Sequence, residues 1–137
     1  MKNIFLASLL SFISTVFYSQ CIKGNCYKGH GTFLWKDKNK YEGFWTDGKP
    51  SGFGDLTYEN GDRYKGGFVD GKKNGTGKYT WKNGNSYNGD WSKDAMNGDG
   101  EYIWIKEISK YEGSFKDGKI ENVEIGITIE TPEKSSE

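Results

Sequence analysis

YEGFWTDGKPSGFGDLTYENGDR, residues 41–63, is the stretch that decides the fold. Read from its first residue, every second position carries Tyr, Gly or Trp: Tyr41, Gly43, Trp45. Asp47-Gly48 breaks the run, a second run carries Gly54, Leu56 and Tyr58, and Asn60-Gly61 closes it. A period of two means a β-strand with the named residues on one face. Asp-Gly and Asn-Gly tolerate the positive φ of tight hairpin turns. The segment therefore encodes two short antiparallel strands and two turns.

The same unit recurs on both sides. YKGGFVDGKKNGTGKYTWKNGNS (64–86) repeats it at equal length, and YNGDWSKDAMNGDGEYIWIKEISK (87–110) repeats it with one extra residue after Trp104. YEGSFKDGKIENVEIG (111–126) carries the first half, and CYKGHGTFLWKDKNK (26–40) matches the second half. Self-similarity at a fixed period is the signature of a repeat architecture. The opening trios Tyr64/Gly66/Phe68, Tyr87/Gly89/Trp91 and Tyr111/Gly113/Phe115 keep the spacing of two, as do the returns Gly77/Tyr79/Trp81 and Gly100/Tyr102/Trp104.

Glycine weakens a strand unless something needs the bare backbone. Here it alternates with large rings on one face, so a ring from a neighbouring strand is expected to lie over it. The opposite face reads Glu42, Thr46, Asp55, Lys65, Lys78 and Asn88, which is polar and solvated, with Phe44, Val69, Ile103 and Ile105 as scattered exceptions. The expected fold is all-β: an elongated, twisted antiparallel meander of repeated hairpins, a single-layer sheet whose core is a row of aromatic rings.

These residues resemble the MORN repeat, whose pattern is close to Tyr-x-Gly-x-Trp-x-x-Gly-Lys-x-x-Gly-x-Gly-x-Tyr. YEGFWTDGKPSGFG and YKGGFVDGKKNGTGKY carry the likeness, which covers roughly residues 24–126. Asp94 and Ala95 stand where Gly-Lys is expected, and the second half of the motif is lost after Lys119. The resemblance implies a module for protein–protein contact, scaffolding or membrane association that does no chemistry itself. The chain is identified as a bacterial, exported member.

Composition agrees with that assignment. Twenty glycines, nine Tyr, eight Phe and five Trp stand against two prolines, and aliphatic residues are sparse outside the N-terminal segment. Rings must therefore carry the apolar burial, which excludes a helical bundle or a doubly wound α/β domain. Nineteen basic residues balance nineteen acidic ones, so the electrostatic footprint of a nucleic-acid binder is missing.

The first twenty-one residues, MKNIFLASLLSFISTVFYSQC, place Lys2 before an uncharged, mostly apolar run from Ile4 to Phe17. That run is shorter than the about 20 residues a membrane span needs and has the form of a signal peptide, here 1–19, with cleavage after Ser19. A secreted or periplasmic location follows. Tyr18 and Gln20 depart from a lipobox, which argues against lipid attachment at Cys21. Cys21 and Cys26, the only cysteines, are expected to form a disulfide in an exported chain, with Gly24 and Asn25 as turn residues. The repeat domain then runs over 20–130. Val123, Ile125, Ile127 and Ile129 form a terminal strand within 120–130, and residues 131–137 read as a disordered polar tail.

No catalytic, cofactor or metal site is expected. His30 is the only histidine and lies between two glycines, where it reads as a surface loop residue. Two cysteines and one histidine are too few for a metal. The recurring loop lysines Lys49, Lys72, Lys73 and Lys119 follow Asp47, Asp70 and Asp117, so the row is near neutral and offers a membrane little attraction. Glycan binding through the rings and lipid-headgroup binding through the lysines are the alternatives to a protein partner or a second copy. A single-layer sheet must leave some rings open, and Trp45, Phe68, Trp81 and Trp91, near the middle of the array, are the expected binding face.

Overall fold

The computed structural model describes residues 19–121. Apart from Ser19 the expected leader lies outside the described residues, and so do the 131–137 tail and nearly all of the terminal strand. Among the described residues the chain forms ten strands: β1 Gln20–Gly24, β2 Gly29–Leu34, β3 Lys40–Thr46, β4 Lys49–Thr57, β5 Arg63–Val69, β6 Lys72–Thr80, β7 Ser86–Ser92, β8 Ala95–Trp104, β9 Ser109–Lys116 and β10 Lys119–Ile120. They make one sheet in sequence order, every neighbouring pair antiparallel. This is the meander of hairpins read from the repeats.

Two kinds of turn alternate along it. The turns after β3, β5 and β9 put two residues at positive φ: Asp47 and Gly48, Asp70 and Gly71, Asp117 and Gly118. Two successive positive φ values are what a two-residue hairpin loop needs, since that backbone twist matches the strands. The turn after β7 does the same with Lys93 and Asp94, although no glycine is present. The turns after β4 and β6 are longer. Tyr58 C=O accepts from Gly61 N–H at 3.0 Å, and Tyr58 N–H donates to Asp62 C=O at 2.9 Å.

Each edge is laced to the next repeat. On the short-turn edge Gly48 N–H donates to Tyr27 C=O, Gly71 N–H to Pro50 C=O, Asp94 N–H to Lys73 C=O and Gly118 N–H to Met96 C=O, at 2.9–3.1 Å. On the long-turn edge side chains do this. Asn39 Oδ1 accepts from Glu59 N–H, Asp62 Oδ1 from Lys82 N–H and Asn85 Oδ1 from Ile105 N–H. Otherwise unpaired loop donors are thereby satisfied.

The glycines inside strands have the expected purpose with one correction. A Cβ on Gly66 would lie 2.6 Å from the Tyr64 hydroxyl and 2.5 Å from Gly77 Cα. The covering ring therefore comes from the same strand, not only from a neighbour. Tyr64 also overlies Gly77 on β6, so one ring closes over two glycines paired across strands. The first glycine of the Gly-x-Gly return has a different role. Gly75 has φ +73 and sits where the β5–β6 register shifts between Gly66 and Phe68, the positive-φ position that a bulge reserves for glycine.

Cys21 and Cys26 are joined, with Cα atoms 5.9 Å apart. The bridge closes the β1–β2 hairpin, where Asn25 N–H donates to His30 C=O.

Candidate binding face

The ring face carries two columns. The first holds Tyr41, Trp45, Tyr64, Phe68, Tyr87, Trp91 and Phe115, all buried. Each tyrosine packs edge-on against the ring four residues on, as in Tyr41–Trp45 at 5.2 Å. It packs the same way against the corresponding ring of the next repeat: Tyr41–Phe68 at 5.0 Å, Tyr64–Trp91 at 5.2 Å, Tyr87–Phe115 at 4.8 Å. Edge-to-face contact is a favoured arrangement of aromatic quadrupoles. The column is a continuous zigzag.

Its polar atoms are satisfied internally. The hydroxyls of Tyr41, Tyr64 and Tyr87 donate to the carbonyls of Phe44, Gly67 and Asp90 at 3.0–3.1 Å. Trp45 and Trp91 donate their indole N–H to Gly31 and Gly77 C=O. Burial pushes the Tyr41 and Tyr87 hydroxyls up to about 12 and the Tyr64 hydroxyl higher. These tyrosines stay protonated donors at any ordinary pH.

This overturns most of the face expected from the sequence. Trp45, Phe68 and Trp91 are 5%, 3% and 6% exposed and belong to the core. Their distance from the ends of the array does not open them, because Phe33 and Trp35 pack on Trp45, and the tyrosine of the preceding repeat packs on Phe68 and on Trp91. Only Trp81 of the expected four is half-buried.

Trp81 belongs to the second column, which position in the strand could have revealed. Trp35, Tyr58, Trp81 and Trp104 recur every 23 residues at the last place before the long turns, and all are half-buried. Tyr79 and Tyr102 link Tyr58, Trp81 and Trp104 into a run of rings, while Trp35 packs on Phe33 and Trp45. Centroid distances are 5.8 Å for Tyr58–Tyr79, 4.7 Å for Tyr79–Trp81, 5.1 Å for Trp81–Tyr102 and 4.3 Å for Tyr102–Trp104. A ring beside a turn lacks a strand residue beyond it, so one side stays open.

The other face of the sheet is polar. Glu42, Asp55, Lys65, Lys78, Asn88, Glu101 and Glu112 lie opposite one another in one cross-strand row. Phe44, Phe53 and Val69 are exposed there, and His30 meets Phe44 edge-on at 5.4 Å. Lys49 pairs with Asp70 at 3.5 Å on the short-turn edge. Among the described residues no three His, Cys, Asp or Glu side chains gather as a metal site would require.

The decisive comparison is with the MORN repeat, which matches residues 27–40, 41–63, 64–86, 87–106 and 111–122. The chain belongs to the MORN repeat family. No curated protein matches the chain. MORN repeats are in general protein- or membrane-binding modules, and this array presents the half-open column, not the buried one, as the ring surface available for that.

Proposed function

We propose that this MORN array is a non-catalytic binding and scaffolding module of the cell envelope or extracellular space, and that its partner is a protein. The observation that carries this is the half-open column Trp35, Tyr58, Trp81 and Trp104, one ring per repeat in register. Rings of this kind are the commonest anchors of protein interfaces, because a large flat surface is buried with little loss of side-chain freedom. The loop lysines are a weaker candidate: Lys49 is neutralised by Asp70, so attraction to an anionic membrane is reduced. The apolar run at Ile4–Phe17 supports export.

The test is capture of partners from the source organism's envelope fraction. The Trp81→Ser, Trp104→Ser double variant, with its fold checked by circular dichroism, is expected to lose them. Capture that survives these changes but fails when Lys49 and Lys72 are replaced by Gln would move the site to the loops. Capture of a glycan instead of a protein would replace the partner class.

A further inference from the structure

One position per repeat differs in a telling way. Pro50, Lys73, Met96 and Ile120 occupy equivalent places after the short turns, opposite Trp45, Phe68, Trp91 and Phe115 respectively. Met96 and Ile120 are apolar and pack against the core. Lys73 is charged, yet its side chain is only 12% exposed. Its Nζ lies 5.2–5.9 Å from the ring centres of Tyr58, Tyr64, Tyr79 and Trp91, with Asp94 at 3.6 Å as counter-ion. The repeat therefore builds an aromatic cage that holds an alkylammonium, with the ring faces attracting the cation.

One repeat earlier the cage is kept in part, with Leu56 in place of the Tyr79 ring and Trp35 in place of Tyr58, whose hydroxyl lies 3.3 Å from Lys73 Nζ, and no lysine occupies it. Trp35, Tyr41, Leu56 and Phe68 stand 23 residues before Tyr58, Tyr64, Tyr79 and Trp91, and they line a cavity of about 250 Å³ over Pro50. The short proline ring is buried at the base and leaves the space that the Lys73 stem fills next door. Gly71 replaces Asp94 at the mouth, which removes the bulk there. A carboxylate is still supplied, by Asp37, which also lines the cavity and is held by the backbone N–H and side-chain amide of Asn39 at 3.1 and 3.0 Å.

The geometry points to this cavity as a receptor for a primary alkylammonium, namely a lysine side chain inserted by the partner protein. The inference rests on the reading of the array as a protein-binding module and adds one anchor at the Trp35 end of the open column. The stem of the incoming lysine lies against Leu56, its ammonium meets the half-buried Trp35 ring, and Asp37 neutralises it, while the buried Tyr41 and Phe68 form the floor. Nothing covalent is involved.

The probe is Nα-acetyl-lysine-N-methylamide, titrated in the millimolar range into the full chain with the Trp35 indole N–H followed by NMR. Saturable shifts are expected at Trp35, Tyr41, Leu56 and Phe68. The norleucine analogue, equal in stem but uncharged, is expected to bind at least fivefold more weakly. Pro50→Lys puts the chain's own ammonium into the cage, as Lys73 does next door, and should abolish the response while the remaining spectrum stays folded. Equal binding of the norleucine analogue, shifts elsewhere, no saturable shift, or undiminished binding to folded Pro50→Lys would each overturn the inference. The norleucine comparison uses the unaltered chain, so it decides even if the variant does not fold. Envelope capture through Trp81 and Trp104 would stand or fall separately.

Discussion

The two ring columns share a face, a repeat and nearly a composition, yet one is core and the other is half open. Tyr41, Tyr64 and Tyr87 lie over glycines on two strands and are wedged between the rings of two repeats. Trp35, Tyr58 and Trp81 stand one residue past the ends of β2, β4 and β6, with tilted neighbours and a turn beyond. In a sheet with no second layer, burial of a ring is decided by what flanks it within the layer. Distance from the array's ends matters less.

The sharpest way to break this comparison is to truncate one ring from each column. Trp91→Ala removes a buried side chain and its hydrogen bond to Gly77, and is expected to cost about 3–5 kcal/mol. Trp81→Ala, in the open column, should cost less, about 2–3 kcal/mol, since part of its surface already meets water. Urea denaturation of both compares them directly. Equal losses would erase the distinction between the columns.

The next test addresses why the first column is closed. Gly66→Val places methyl groups into the Tyr64 hydroxyl and the Gly77 backbone, and should destabilise by about 2 kcal/mol or more. Valine is otherwise the better strand former, so a raised melting temperature would refute the covering-ring account.

Two smaller effects probe the open column's edge. Ile108, in the loop after Trp104, has φ +47 and is 92% exposed, a costly conformation for a β-branched residue that gains nothing from packing. Ile108→Gly should stabilise by about 1 kcal/mol, read as a rise in melting temperature. An unchanged or lower value would show that the isoleucine is held by something beyond its backbone.

Asp62 is the one carboxylate in the long-turn ladder, between Asn39 and Asn85. Desolvation would raise its pKa, but the Lys82 N–H, the Tyr79 hydroxyl and the Asn60 amide outweigh it and hold the group below its ordinary value. A depressed folded-state value means that its contribution is present at neutral pH and is lost as pH falls through that value, below about 4. Asp62→Asn keeps the acceptor for Lys82. It meets the Tyr79 hydroxyl and the Asn60 amide with an NH2 group in place of an accepting oxygen, so at pH 7 it should cost about 1 kcal/mol. It should also flatten the acid limb of the melting-temperature profile. An acid limb identical to that of the parent chain would remove Asp62 from the account.

How much of this was legible beforehand varies by residue. Asp47-Gly48 and Asp70-Gly71 announced their turns because a positive φ restricts the residue choice so strongly. Lys93-Asp94 hid an identical turn, since the ladder bond from Asp94 N–H to Lys73 C=O holds a backbone that local preference disfavours. Gly66 was legible as a covered position, but the strand supplying its ring was not. The period-two pattern is the same whether Tyr64 bends over its own strand or reaches from another.

Strand, turn and the division into a ring face and a polar face are local properties, and residues 41–63 state all of them alone. Their physical origin is the two-residue pleat and the φ demands of tight turns, which act within a few residues. Which rings are core, and that Lys73 is enclosed by rings of three strands, depend on packing between repeats about twenty residues apart. Tyr41 covers Phe68, and Tyr64 covers Trp91, only because the sheet sets consecutive repeats side by side. Burial is a property of neighbours, and only the tertiary structure names them.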